Sequence, residues 1–137
     1  YENGAKIFVL SGGIKQIIED VFKREKVDKF ITAIETYDLI FDNNGKLINY
    51  NRPSLHNLEN KNEYIELIKN QYNFKSEDIL FVGNGSNDEM VYLSGARTLC
   101  INPDDTDPSN KTIWHNQIEN CENLSEILKF CDFEKSK

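Results

Sequence analysis

The sequence contains little cysteine and no long apolar run. Its three cysteines are an odd number and none stands in CxxC spacing, so neither a disulfide framework nor a zinc site is expected. We expect reduced thiols with structural roles at Cys100, Cys121 and Cys131. Nothing approaches the roughly 18 apolar residues of a membrane-spanning helix, and the first residues lack the basic and apolar regions of a signal peptide. These absences predict a cytoplasmic protein that does not cross a membrane.

Basic residues are outnumbered by acidic ones. The chain has 16 lysines and arginines against 23 aspartates and glutamates, which gives a net charge of −7. Because excess negative charge opposes binding to nucleic acid and to anionic membranes, neither is expected as a partner. A length of 137 residues suits one domain. The first residue is Tyr1 rather than Met and a strand-like run follows closely, so we expect one domain over 1–137 that is incomplete at its N-terminus.

Short apolar runs alternate with amphipathic segments. Residues 6–10 predict a buried strand closed by a tight turn, Ser11-Gly12-Gly13, and residues 14–26 predict a helix with one buried apolar stripe. Residues 32–41 and 46–49 flank Asn44-Gly45 and predict a β-hairpin with a two-residue turn. Further along, the pattern predicts a helix over 61–72, a strand over 79–82, a helix over 87–95, a strand over 98–101 and a short helix over 124–130. This alternation predicts an α/β fold, with a parallel sheet covered by helices on both faces and a hairpin insertion.

The segment Ser11-Gly12-Gly13 is the first candidate for chemistry. It stands at the carboxyl end of a predicted strand, which is where such sheets bind ligands. Small residues admit a phosphate closely, while free N–H groups and the dipole of the following helix favour an anion. Ser11 and Gly12 are therefore candidate phosphoryl-binding residues. The alternative is that the glycines only make a sharp turn.

The second candidate segment, residues 83–88, reads Gly-Asn-Gly-Ser-Asn-Asp. A hard cation such as Mg²⁺ prefers oxygen ligands, and the glycines allow Asn84 and Asp88 to turn toward one point. The alternative is a helix cap, since Asn and Asp satisfy free N–H groups at a helix start. Lys61, at the start of a predicted helix, is the third candidate, although a lysine there is usually a solvated charge.

The order of these features resembles the haloacid dehalogenase superfamily, in particular its phosphoserine-phosphatase-like branch. That family has a strand followed by Ser-Gly-Gly and a helix, then a hairpin, a lysine, and a strand followed by Gly-Asp-Gly-x-Asn-Asp. Ser11 matches the second motif of the family, Lys61 the third and residues 83–88 the fourth, and the spacing from Lys61 to Asn84 is similar to the family's. The resemblance covers about residues 6–103. It implies a three-layer, Rossmann-like core.

Two features depart from the family pattern. The first motif, an Asp-x-Asp pair whose first carboxylate attacks phosphorus, would precede residue 6, and the small cap that follows it is missing too. Asn84 stands where the family usually has a metal-binding aspartate, so weaker Mg²⁺ binding is expected, because an amide oxygen brings no charge. The nucleophile is thus expected on an N-terminal segment of the same protein, and this chain by itself is expected to be inactive.

The resemblance implies a Mg²⁺-dependent phosphatase that hydrolyses a small phosphorylated substrate through an aspartyl-phosphate. It gives catalytic roles to Ser11, Lys61 and Asp88. In addition, Ser11, Gly12 and Asn87 would bind the phosphoryl group, and Asn84 and Asp88 would hold the metal or its waters. The family's topology implies that the strand carrying the first motif is the central one, and its absence would leave sheet edges open. Instability, a homodimer or a non-covalently retained N-terminal piece is then expected.

Two other interpretations stay open. Asn84 favours a non-catalytic module that binds a phosphorylated ligand or a protein on the same fold, whereas the retained Ser11, Lys61 and Asp88 disfavour it. A flavodoxin-like or receiver-like domain fits the alternation of strands and helices, but the hairpin and the position of Lys61 fit it less well. His56 and His115 have no partner at metal-ligand spacing and are expected at the surface or in packing.

Overall fold

The protein is described by a computed structural model that covers residues 4–52, 61–103 and 114–131. By their contacts the residues fall into two compact units, which divide between Leu58 and Glu59. The described part of the first unit is 4–52, and that of the second is 61–103 with 114–131. The expectation of one domain stays a prediction.

The first unit is a three-stranded sheet with one helix. Strand β1 (Ile7–Ile14) leads into helix α1 (Lys15–Arg24), and a short 3₁₀ helix precedes strand β2 (Ile31–Phe41) and strand β3 (Leu47–Asn51). The strand order is β1-β2-β3, with β1 parallel to β2 and β3 antiparallel to it. The βαβ connection and the hairpin predicted from the sequence are both confirmed.

The predicted turn at Ser11-Gly12-Gly13 is wrong, because these residues lie inside β1. Leu10 pairs with Glu35 and Ile14 with Tyr37, so four steps along β1 match two steps along β2. The segment 11–13 is therefore a bulge within the strand, a distortion that glycines accept readily. We call it the 11–13 bulge.

Helix α1 is amphipathic, but its apolar stripe is not fully buried as predicted. Ile17 is 60% exposed and Val21 40% exposed, and α1 contains no buried residue. The three-stranded sheet of this small unit covers only part of the apolar face of the helix. The helix also ends earlier than predicted, at Arg24, and Lys26 turns the chain with a positive φ of 58°.

The hairpin turn differs from the two-residue type. The Asp42 N–H donates to the Lys46 carbonyl (2.9 Å), so three residues lie between the paired positions. Gly45 has a φ of 76°, and the Asp42 carboxylate accepts from the N–H groups of Asn44 and Lys46. Because the Asp42 side chain bonds to backbone groups of its own loop, it stabilises this longer turn. Asn44-Gly45 therefore does not form the two-residue turn that it usually forms.

The second unit has three parallel strands in the order β4-β5-β6. Helix α2 (Lys61–Tyr72) has the bounds that its periodicity predicted, and strands β4 (Leu80–Gly83) and β5 (Arg97–Ile101) lie one residue from theirs. The predicted helix at 87–95 is a 3₁₀ helix (Ser86–Ser94), and so is the terminal one (Leu124–Phe130). Strand β6 (Asn116–Ile118) was not predicted, because three mostly polar residues carry no alternation.

The core of this unit is formed by Ile65, Val91 and Ala96, against which Ile79 and Phe81 pack. Parallel strands joined through helical segments confirm the α/β class. No helix in the described ranges is long and apolar enough to cross a membrane.

Candidate functional site

The loop that follows β4, residues 84–85, is the centre of the site and is called the β4 loop. Strand β4 ends at Gly83, and the 3₁₀ helix that begins at Ser86 brings Asp88 back under the loop. Lys61, the first residue of α2, forms an ion pair with Asp88 through Nζ and Oδ1. The two side chains are only 6% and 4% exposed. Lys61 is therefore not a solvated charge.

Asp88 holds the loop as well as the lysine. Its Oδ2 accepts from the backbone N–H groups of Asn84 (3.2 Å) and Gly85 (3.4 Å). The helix-cap interpretation of this segment is therefore correct in part, because the carboxylate satisfies free N–H groups at a helix start. The same carboxylate also compensates a buried ammonium, which a capping role alone does not require.

Gly83 is needed for steric reasons. A Cβ placed there would lie 2.7 Å from Asp88 Cγ and 2.9 Å from Cη2 of Trp114. Both contacts are closer than packed atoms tolerate, so only glycine allows the carboxylate and the indole to approach the loop.

An aromatic pair borders the ion pair. Phe81 of β4 stacks on Trp114 with ring centroids 6.3 Å apart and an interplanar angle of 20°. Lys61 Nζ lies 5.9 Å from the centroid of Phe81, within the range of a cation–π interaction. The aromatic side excludes water, which strengthens the attraction between Lys61 and Asp88.

Cys100 lies directly beside the loop, since it pairs with Gly83 across β4 and β5. Its side chain is fully buried. Burial raises the pKa of the thiol, and the negative charge of Asp88 raises it further. This cysteine is therefore held as a neutral thiol, in agreement with a structural role.

The 11–13 bulge belongs to the first unit. The Gly13 N–H donates to Ser11 Oγ (3.1 Å). The serine oxygen is the acceptor in this bond, so the hydroxyl hydrogen is not used in it. Gly12 is exposed, and a Cβ built on it would meet nothing within 4 Å. The backbone at Gly12 is thus open to a ligand, as a phosphoryl-binding residue requires.

Strand β2 supports the bulge and the start of α1. Thr36 donates its hydroxyl to the Gly13 carbonyl. The Gln16 amide bonds to both backbone groups of Leu39, with Nε2 donating to its carbonyl (2.8 Å) and Oε1 accepting from its N–H (3.2 Å). Asp38 accepts from Gln16 (2.7 Å) and from Lys15 (3.2 Å).

The structure brings together three of the predicted residues, namely Lys61, Asn84 and Asp88, in the second unit. Asn87 belongs to the 3₁₀ helix, and its side chain lies outside the described part. Ser11 and Gly12 stand in the first unit, so their convergence with Lys61 stays a prediction.

The donor set for a metal ion is incomplete in the described ranges. They contain no group of three or more His, Cys, Asp or Glu side chains that could hold a metal ion. Asn84 is exposed and offers one neutral amide oxygen, and the Asp88 carboxylate already accepts from three donors. These residues fit a Mg²⁺ site only as a part of it, with further carboxylates required from elsewhere.

Sequence reasoning missed the residues that support the site. Thr36, Gln16, Phe81 and Trp114 act through long-range contacts, and no local pattern marks them. His115 has a structural role, since its Nδ1 lies 2.8 Å from Thr98 Oγ1 and its backbone N–H donates to that hydroxyl (3.0 Å). His56 lies outside the described residues.

Solved structures with a similar fold include phosphoserine phosphatases and a haloacid-dehalogenase family hydrolase. Phosphoserine phosphatase in its apo form matches with a TM-score of 0.74 at 23% identity, over 96% of this chain and 61% of that one. The chain has their haloacid-dehalogenase-like α/β fold. A phospho-aspartyl intermediate analogue of phosphoserine phosphatase matches with a TM-score of 0.73 at 23% identity, over 96% and 58%. A haloacid-dehalogenase family hydrolase from Salmonella enterica serovar Typhi gives 0.72 at 18% identity, over 96% and 42%.

The chain spans about 60% of the length of the phosphoserine phosphatases that it matches. No protein-family model matches it, and no curated protein matches it in sequence. The fold is therefore established by three-dimensional similarity.

Proposed function

We propose that this chain supplies the electrostatic part of a phosphatase that hydrolyses a small phosphomonoester through an aspartyl-phosphate. The nucleophilic aspartate would lie on an N-terminal segment outside the chain. The observation that carries the proposal is the buried Lys61–Asp88 pair beneath the β4 loop, in a fold shared with a phospho-aspartyl intermediate analogue of phosphoserine phosphatase.

Lys61 has the properties that this chemistry needs. Phosphoryl transfer is catalysed mainly by positioning and by neutralising charge. An ammonium has three N–H donors, and within the described residues one of them is directed at Asp88 Oδ1. In the proposed mechanism the other two would bond to the nucleophile and to a phosphoryl oxygen. Asp88 fixes the ammonium, so it does not reorganise during the reaction. Ser11 and Gly12 would bind the other phosphoryl oxygens, and Asn87 would bind one of them or fix the loop.

Mg²⁺ is the implied cofactor. When bound it would neutralise charge on the phosphoryl group. Asn84 would offer its amide oxygen as a ligand, and Asp88 would order the surrounding waters while it holds Lys61. Because Asn84 contributes no charge, affinity for the ion is expected to be lower than with aspartate at this position.

A metal titration tests this part separately from turnover. Trp114 is the only tryptophan in the chain and stacks beside the loop, so its emission reports on the site. In a protein that includes the N-terminal segment, Mg²⁺ should change this emission, and Asn84→Asp should lower the half-saturating concentration. Equal titration curves for the two proteins would contradict the assignment of position 84 to the metal.

The decisive experiment is hydrolysis of p-nitrophenyl phosphate. The chain alone should show no turnover, whereas a protein with the N-terminal segment should be active. In that protein, under conditions where the variant is still folded, Lys61→Met should lower the rate by roughly 10²-fold or more. Lys75→Met, which removes an exposed lysine, should not change it. Turnover by the chain alone that is lost on chelation of Mg²⁺ would contradict the position given to the nucleophile.

A second function, a non-catalytic module that binds a phosphorylated ligand or a protein, is favoured by one observation. Among the described side chains of residues 83–88, only the neutral, exposed Asn84 and an aspartate that is already engaged are offered to a ligand. Beryllofluoride with Mg²⁺ separates the two functions in the protein with the N-terminal segment. Tight binding in calorimetry supports the enzyme, since this mimic needs an intact aspartate nucleophile, and an absence of heat supports the binding module.

A further inference from the structure

Thr36 is the most deeply buried described residue of the first unit. The residue is 5% exposed, and every other residue in 4–52 is more accessible to solvent. It is polar, and its hydroxyl donates to the carbonyl of Gly13 across the β1–β2 pair. A buried hydroxyl needs a partner, and this one has a backbone group of the 11–13 bulge.

Both backbone polar groups of Gly13 are therefore fixed. The carbonyl accepts from Thr36, and the N–H donates to Ser11 Oγ (3.1 Å). There is also no spare space, because a Cβ on Gly13 would lie 3.2 Å from Ser11 Oγ and 3.3 Å from Ile18 Cδ1. Gly12, in contrast, faces open space. The bulge is held on its β2 side and is accessible at Gly12.

This restraint matters because two consecutive glycines are the most flexible backbone in a protein. An anion site built from a hydroxyl and N–H groups binds well only if those donors already point at the ligand. The bond from Thr36 holds the carbonyl of the Gly13–Ile14 peptide group and so limits rotation about the Gly13 Cα–C bond. The Gly13 N–H, in the preceding peptide group, is held by Ser11 Oγ, so the two bonds together restrain the backbone on both sides of Gly13.

We propose that Thr36 is a positioning residue for phosphate binding at the 11–13 bulge. It does not touch the ligand and acts through the Gly13 carbonyl. The inference rests on the proposed function of Ser11 and Gly12, and it adds a residue that neither the sequence motifs nor the chemistry of the site marks.

The test is the affinity for inorganic phosphate of the protein that includes the N-terminal segment, measured through the NMR shift of the Gly12 amide. Thr36→Val removes the hydroxyl at nearly constant volume and should weaken binding roughly threefold to tenfold, the range that one hydrogen bond covers. Thr36→Ser keeps the donor and should restore binding to within about twofold of wild type. The matched control is Thr32→Val in the same strand, where the exposed hydroxyl accepts from Ile7 N–H (3.2 Å), and it should leave affinity unchanged.

A Ser11→Ala variant separates the positioning role of Thr36 from the proposed function of the bulge. If Ser11→Ala weakens phosphate binding and Thr36→Val does not, the positioning role is overturned while the proposed function stands. Equal weakening by Thr36→Val and Thr36→Ser would also overturn it, because packing rather than the hydroxyl would then be the cause. If phosphate does not shift the Gly12 amide of the wild-type protein, the proposed function fails and the positioning role fails with it. Should Thr36→Val not fold, Thr36→Ala takes its place.

Discussion

Replacing Lys61 by methionine should destabilise the protein strongly. Methionine keeps the length and apolar stem of the side chain but removes the ammonium that neutralises Asp88. The carboxylate would stay 4% exposed with only the N–H groups of Asn84 and Gly85 as partners. A buried charge without its counter-charge is among the most costly defects in a protein.

The size of the stability loss follows from the burial of the Lys61–Asp88 pair. Breaking a buried ion pair by removing one partner costs about 3–5 kcal/mol. An exposed pair is worth less than about 1 kcal/mol, because water and salt screen it. Lys75 and Glu77 form such a pair, 3.9 Å apart, with side chains 77% and 71% exposed. Lys61→Met should therefore cost several times as much as Lys75→Met.

Urea denaturation measures the difference. The free energy of unfolding is obtained from the emission of Trp114, with the dependence on urea expected to be the same for each variant. Asp88→Asn combined with Lys61→Met removes both charges and keeps an oxygen for the loop N–H groups. The double variant should be more stable than Lys61→Met alone, since no buried charge is left unpaired.

A loss below about 1 kcal/mol for Lys61→Met would refute the reasoning. So would a double variant no more stable than the single one. In either case the ion pair would be open to water, and Lys61 could not serve as a fixed cation at the site.

Three further predictions concern the surroundings of the site. Gly83→Ala should unfold or strongly destabilise the protein in the same urea assay, because its methyl group would collide with Asp88, while Gly12→Ala should fold normally in its open space. Cys100 should react with an aromatic disulfide reagent far more slowly than the other two cysteines. Because its pKa is raised on folding, its contribution to stability is complete below the ordinary thiol pKa of about 8.5 and is lost as the pH rises through the raised value. Unfolding free energy should thus fall more steeply in alkali for wild type than for Cys100→Ala, and parallel pH profiles would contradict this. Gln16→Leu should lower the free energy of unfolding by about 1–3 kcal/mol, because the N–H and carbonyl of Leu39 lose their partners. Urea denaturation measures the loss, with Gln71→Leu at an exposed position of α2 as the control.

The sequence by itself determined the positions of most helices and strands. Period-3.6 apolar spacing placed α2 at its observed bounds, and alternating or continuous apolar runs placed β2, β4 and β5 within a residue or two. The alternation of these elements was enough for the α/β class, and the spacing of Ser11, Lys61 and the β4 loop was enough for the resemblance to phosphatases. These features depend on neighbours along the chain, so a single sequence contains them.

Only the tertiary structure decided which side chains support one another. The pairing of Lys61 with Asp88, the Thr36 bond to Gly13 and the stacking of Phe81 on Trp114 join residues 23 to 33 positions apart. The same is true of the 11–13 bulge, because its register depends on β2, and of β6, which exists through pairing with β5. Periodicity reports which face of an element is apolar, whereas burial of a charge or a hydroxyl depends on what the folded chain places against it.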